Sequence, residues 1–127
     1  YCLTLLQAVG KVVEVTEEQL HAVTALSGSG PAYIYYMMEA FLNAGQQLGI
    51  DEQVARTLMV QTIAGAAAML DTLDEEPATL RKQVTSPGGT TEAGIGVLEA
   101  RGVKEAIEAC VLRAAQRSEE LAHATKV

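Results

Sequence analysis

Tryptophan is absent from this chain and phenylalanine occurs once, while small apolar residues, alanine above all, are abundant. With few large rings, helices must approach closely on small side chains. The composition therefore favours packed helices over a β-sandwich, and the same Gly/Ala faces suit a subunit interface. Cysteine is scarce too: Cys2 and Cys110 stand far apart and in no CxxC-type spacing, which excludes a disulfide framework or a thiolate metal site and leaves buried or half-buried thiols. His21 and His123 sit in different helical segments with no second His at ligand spacing, so no metal is expected. Nine Lys and Arg against sixteen Asp and Glu give a net charge of −7, with no basic stripe to meet a phosphate backbone, so nucleic acid is excluded as a partner. No apolar run reaches the ~18 residues that span a bilayer. No basic region precedes the apolar residues of the N-terminus, as a signal peptide would require. A cytoplasmic domain with no membrane partner is expected, and 127 residues allow one domain with a core.

The most informative stretch is Thr85-Ser86-Pro87-Gly88-Gly89-Thr90-Thr91-Glu92. Pro87 fixes one backbone dihedral and the two glycines permit turns closed to other residues, so several amide N–H groups can face one way. Glu92 to Leu98 reads as the opening of a helix. A glycine turn entering a helix leaves unpaired N–H donors at the positive end of the dipole, with a threonine hydroxyl beside them, which can receive a small carboxylate. The plainer use of such residues is to cap the helix.

Residues 1–10 look like a helix tail closed by Gly10, and residues 11–15 alternate like a short strand, which is marginal without sheet neighbours. Thr16-Glu17-Glu18-Gln19 fits a capping box opening a helix through Leu20, Val23 and Leu26. Residues 27–33 interrupt that pattern, and Pro31 suits the first turn of a new helix whose apolar face (Ile34, Met37, Met38, Phe41, Leu42, Leu48) ends at Gly49. Asp51 caps a helix reaching Asp71 or Leu73 that is apolar on nearly every side, hence central or covered by a second subunit. A short helix starts at Glu76-Pro77 and runs through Leu80 to Val84. A brief one spans residues 92–100, and the last runs from Val103 to about Thr125.

Several patterns mislead. Gly28-Ser29-Gly30 begins like a dinucleotide fingerprint, but Tyr33 stands where the third glycine belongs and a helix, not a strand, precedes it. No Gly-Lys-Ser/Thr makes a P-loop. Ser29 lacks the glycine at position 27 that a nucleophile elbow needs. Asp71, Asp74, Glu75 and Glu76 lack calcium-loop spacing and read as solvated surface. With no metal, nucleophile or acid–base pair, the inventory fits a carboxylate-binding domain that takes its chemistry from a cofactor held elsewhere.

The run Ala22-Val23-Thr24-Ala25-Leu26-Ser27-Gly28-Ser29-Gly30-Pro31-Ala32-Tyr33, followed by Val84-Thr85-Ser86-Pro87-Gly88-Gly89-Thr90-Thr91, resembles the C-terminal domain of pyrroline-5-carboxylate reductase. Ala25 stands where glycine is more frequent. The resemblance implies an all-α fold of about five to six helices, intertwined as a homodimer and in some members assembled into a decameric ring of dimers. It implies that residues 16–127 form the substrate-binding and dimerisation domain, and that residues 1–15 are the last helix and strand of an N-terminal dinucleotide-binding domain. The chain is accordingly expected to be a fragment that binds no cofactor and reduces nothing alone, whereas the full enzyme uses NADH or NADPH to reduce 1-pyrroline-5-carboxylate to L-proline in proline biosynthesis. Carried over by position, the substrate would contact Ser86, Gly88, Gly89, Thr90 and Thr91, its carboxylate lying on the amides of residues 89–91. Thr91 would be the catalytic, orienting hydroxyl, and Ser29, Gly30 and Pro31 a second wall. Two other readings compete. One is an oligomerisation module with no ligand site. The other is a hydroxy-acid reductase domain, which would need a catalytic lysine on a long helix, and none occurs between Lys11 and Lys82.

Overall fold

The computed structural model describes residues 2–124. In chain order these form α1 (Cys2–Gln7), a 3₁₀ turn (Glu17–Gln19), α2 (Leu20–Val23), a π-helical turn (Thr24–Gly28), α3 (Gly30–Gln47), α4 (Glu52–Thr72), α5 (Pro77–Gln83), α6 (Thr90–Ala100) and α7 (Val103–Ala124). Counting the contiguous 17–28 segment once, six helical bodies follow α1, so the all-α expectation holds. The expected strand does not form: residues 11–15 are irregular, and the described residues contain no strand. Alternation alone cannot make one, because its backbone groups find no ladder to join. The expected end of α7 near Thr125 lies outside the described residues.

The chain divides into two units, residues 1–29 with 110–127, and residues 30–109. In the first, Thr16 and Gln19 make the expected capping box, with the Thr16 N–H donating to Gln19 Oε1 at 3.0 Å. The helix they open does not break at Ser27. It widens instead: Ser29 N–H donates to the Thr24 carbonyl at 2.8 Å, one residue further back than an α-helix allows. The Thr24 and Ser27 hydroxyls donate back to the carbonyls of Leu20 and Val23, both at 3.0 Å, contacts that loosen and bend a helix. Ala25, within this turn, is fully buried. His21 Nδ1 lies 2.7 Å from Ser118 Oγ, joining α2 to the later part of α7. A hydrogen bond from Arg117 at 3.0 Å, aided by Arg113 at 3.4 Å, holds the exposed Glu120 carboxyl below its ordinary range. That small stabilisation exists while Glu120 is ionised and is lost as pH falls through its lowered pKa.

The second unit is built on a hairpin of α3 and α4. Gly49, at φ +82°, ends α3: its N–H donates to the Gln46 carbonyl at 3.0 Å and that of Ile50 to the Gly45 carbonyl at 2.9 Å. These are the two bonds of a Schellman motif. Asp51 then caps α4 by accepting from Gln53 N–H at 3.0 Å, as expected. The two helices touch at Gly45, where an added Cβ would lie 3.2 Å from the Ala55 Cβ. Gly45→Val is expected to destabilise by about 1–3 kcal/mol despite the better helix propensity of valine. A thermal melt unchanged from wild type would show that the hairpin can open to admit the side chain. Pro77 begins α5 at its first turn, also as expected.

Little of either unit is closed. Only Ala25 and Ala55 are buried among the apolar residues described, whereas Leu58, Val60, Met69 and Leu70 of α4 and Tyr35, Tyr36 and Phe41 of α3 are exposed. Cys2 and Cys110 are likewise exposed, contrary to the buried or half-buried thiols expected. No described helix is long and apolar enough to cross a membrane.

Candidate functional site

The expected anion-receiving turn lies wholly within the second unit. Thr85 closes α5 by donating its hydroxyl to the Arg81 carbonyl at 2.5 Å. Pro87 and Gly88 then occupy the centre of a turn in which Gly89 N–H donates to the Ser86 carbonyl at 3.0 Å, with Gly88 at φ +73°. Proline followed by a residue of positive φ is the type II arrangement, so Gly88 is required for its conformation. Gly89 is required for space: a Cβ there would lie 2.8 Å from Ser86 Oγ and 3.1 Å from the Ser86 carbonyl oxygen. Gly89 is the N-cap of α6, which starts at Thr90, two residues earlier than expected.

This start of α6 leaves amide donors open. The first bond that closes it runs from Ala93 N–H to the Gly89 carbonyl at 3.2 Å, so helix geometry offers no partner to the N–H groups of Thr90, Thr91 and Glu92. Thr90 and Thr91 are exposed, and among the described residues neither hydroxyl is bonded to protein. Two donors are already engaged: Gly89 N–H, one of the three amides expected to receive the carboxylate, is taken by the Ser86 carbonyl at 3.0 Å, and Gly88 N–H by Glu92 Oε1 at 3.3 Å, so of the amides expected at residues 89–91 only those of Thr90 and Thr91 are left open. Ser29 ends the π-turn in the first unit; Gly30 and Pro31 open α3 in the second.

Beside the turn, α5 and α6 enclose a cleft of about 280 Å³ lined by Arg81, Lys82, Thr85, Glu92, Ile95, Gly96 and Glu99. Apart from Thr85 and Glu92, which lie in the motif, the sequence gives no sign of it, because its walls come from two helices whose pairing no local pattern specifies. No group of His, Cys, Asp or Glu among the described residues is arranged to hold a metal ion. Nor do these residues fit a dinucleotide: Gly28 ends a π-helical turn and Gly30 opens α3, with no strand before them as a phosphate-cradling fingerprint requires.

Comparisons with known proteins agree with the motifs. A family model described as pyrroline-5-carboxylate reductase dimerisation matches residues 17–121. Pyrroline-5-carboxylate reductase 2 of Bacillus subtilis is 47% identical over 117 residues, 92% of this chain and 42% of the relative. The Pseudomonas aeruginosa pyrroline-5-carboxylate reductase is 48% identical over 119 residues, 93% of this chain and 44% of the relative. The chain thus spans less than half the length of these relatives. The solved structure of the Coxiella burnetii reductase superposes with a TM-score of 0.89 at 42% identity, over 94% of this chain and 45% of that one. A Plasmodium falciparum pyrroline carboxylate reductase solved with NADP bound gives 0.87 at 31% identity, over 94% and 48% of the two chains. On the match over residues 17–121 and these relatives, the chain belongs to the pyrroline-5-carboxylate reductase dimerisation family.

Proposed function

We propose that residues 16–127 are the substrate-binding and dimerisation domain of a cytoplasmic pyrroline-5-carboxylate reductase, and that residues 1–15 are the end of its dinucleotide-binding domain. The whole protein would reduce the C=N bond of 1-pyrroline-5-carboxylate to give L-proline. Reduced nicotinamide, from NADPH or NADH bound outside these residues, would supply the hydride. The observation that carries this reading is the type II turn at Pro87-Gly88 running into α6, with Thr90 and Thr91 presenting exposed donors at the helix start. The substrate carboxylate would lie on the Thr90 and Thr91 amides, where ionised acceptors gain most from the dipole and from charge-assisted bonds.

Ser86, Gly88 and Gly89 would act by holding those donors in place. The Thr91 hydroxyl would face the carboxylate or the ring nitrogen and orient the imine. Fixing orientation is a large part of what a hydride-transfer site supplies. Gly30 and Pro31, with Ser29 ahead of them in sequence, would border the substrate from its other side. Two copies would intertwine through the exposed apolar faces of α3 and α4 to form the homodimer, and dimers could close into a decamer. The test is proline formation by the whole protein supplied with 1-pyrroline-5-carboxylate and NADH or NADPH. If no proline forms with either nucleotide, the reading is wrong.

A further inference from the structure

The donors of the turn are not all vacant: the Glu92 carboxylate already rests on Gly88 N–H. Glu92 is the third residue of α6 and the one acidic side chain in its first turn. The N-cap, Gly89, has no side chain of its own to satisfy the turn, which leaves the position to Glu92. At 3.3 Å the contact is long for a bond to an ionised oxygen, and it is exposed, so little holds the side chain there. Glu92 also borders the cleft that contains Arg81 and Lys82. A carboxylate released from the turn would face two cations on the α5 side of the cleft.

We propose that Glu92 is a specificity-setting residue, a built-in carboxylate that substrate must live beside or displace, and that it weakens binding of anions in proportion to their charge. This rests on the reading of Thr90 and Thr91 as the substrate's carboxylate receptor. Two carboxylates within one helix turn repel each other through partly screened solvent, an effect worth about three- to tenfold in affinity for a monoanion. A dianionic analogue would be penalised more. The enzyme thereby trades affinity for rejection of dicarboxylates.

The test compares wild type with Glu92→Gln in the full-length protein. Glutamine keeps an oxygen acceptor for Gly88 N–H and removes only the charge, so the turn should survive. At low ionic strength, KM for 1-pyrroline-5-carboxylate should fall about three- to tenfold, with much less change in kcat, and the difference should shrink as salt is added. Inhibition by a dicarboxylate such as pyrrolidine-2,5-dicarboxylate should strengthen more than inhibition by L-proline. A KM that is unchanged or raised in Glu92→Gln, while Thr91→Ala raises KM, would overturn the role of Glu92 and leave the receptor intact. Were Thr91→Ala also to leave KM unaltered, the receptor itself would be wrong and the Glu92 proposal would fall with it.

Discussion

Replacing Thr91 by alanine in the full-length protein is expected to lower kcat/KM for 1-pyrroline-5-carboxylate by about 10- to 150-fold, the loss that follows from removing one hydrogen bond to a charged group. The fold should be untouched, because the Thr91 side chain is exposed and makes no bond to protein among the described residues. Gly89→Val should also be damaging. Its Cβ would meet Ser86 Oγ at 2.8 Å and the Ser86 carbonyl at 3.1 Å. Serine can rotate away, but the carbonyl is backbone and accepts the Gly89 N–H that closes the turn. The carbonyl must yield by a few tenths of an ångström, shifting the Thr90 and Thr91 amides with it, and since a misplacement of about 1 Å costs on the order of a hundredfold in rate, a loss of roughly tenfold or more is expected. Steady-state kinetics on both variants separates two readings of the glycine turn. Wild-type constants in both would mean that Gly89 only caps α6 and that the domain is an oligomerisation module with no ligand site.

Placing an aspartate at Leu58 is expected to break the assembly. Val54, Leu58 and Met69 fall on one stripe of α4 and are each about half exposed, at 52%, 55% and 49%. Gly65 lies on the same stripe, and an added Cβ there would meet nothing within 4 Å. In the homodimer proposed above, that stripe is covered by the second copy. Leu58→Asp removes a large apolar side chain and buries a charge in its place, which should cost about 3 kcal/mol or more, a hundredfold or greater rise in the dimer dissociation constant. With so little core of its own, the separated chain should unfold as it dissociates, so the melting temperature should lie below that of wild type at every concentration and fall further on dilution. Sedimentation velocity reads the first effect and a dilution series of melts the second. A variant that sediments and melts as wild type would show that this stripe of α4 faces solvent. Glu75→Lys, in the irregular segment before α5, should change neither.

Local chemistry was legible in the sequence, and it was legible because each such feature is completed within a few residues. Thr16 and Gln19, Asp51 and Gln53, Pro77 at the head of α5, and Gly49 at positive φ each act at their own helix end. The Pro87-Gly88 turn is of the same kind, which is why the proposed receptor could be located before any coordinates. Where the local pattern failed, a partner was missing or unforeseen. Residues 11–15 alternate as a strand should and stay irregular, having no neighbour to pair with. The helix through Leu26 was expected to stop at Ser27 and instead widened into a π-turn, carried past the polar residues by the Ser29 to Thr24 bond.

The amino-acid sequence by itself determined that this protein is helical, where most of its helices begin, and that a glycine turn opens α6, since those outcomes depend on side chains and backbone groups a few residues apart. Tertiary structure alone decided that Gly45 meets Ala55, that His21 reaches Ser118 across 97 residues, that α5 and α6 enclose a cleft, and that Glu92 folds back onto Gly88. The first three join atoms distant in sequence. The last spans four residues, but no pattern in the sequence marks it: the geometry of the turn brings Gly88 N–H within reach of the carboxylate.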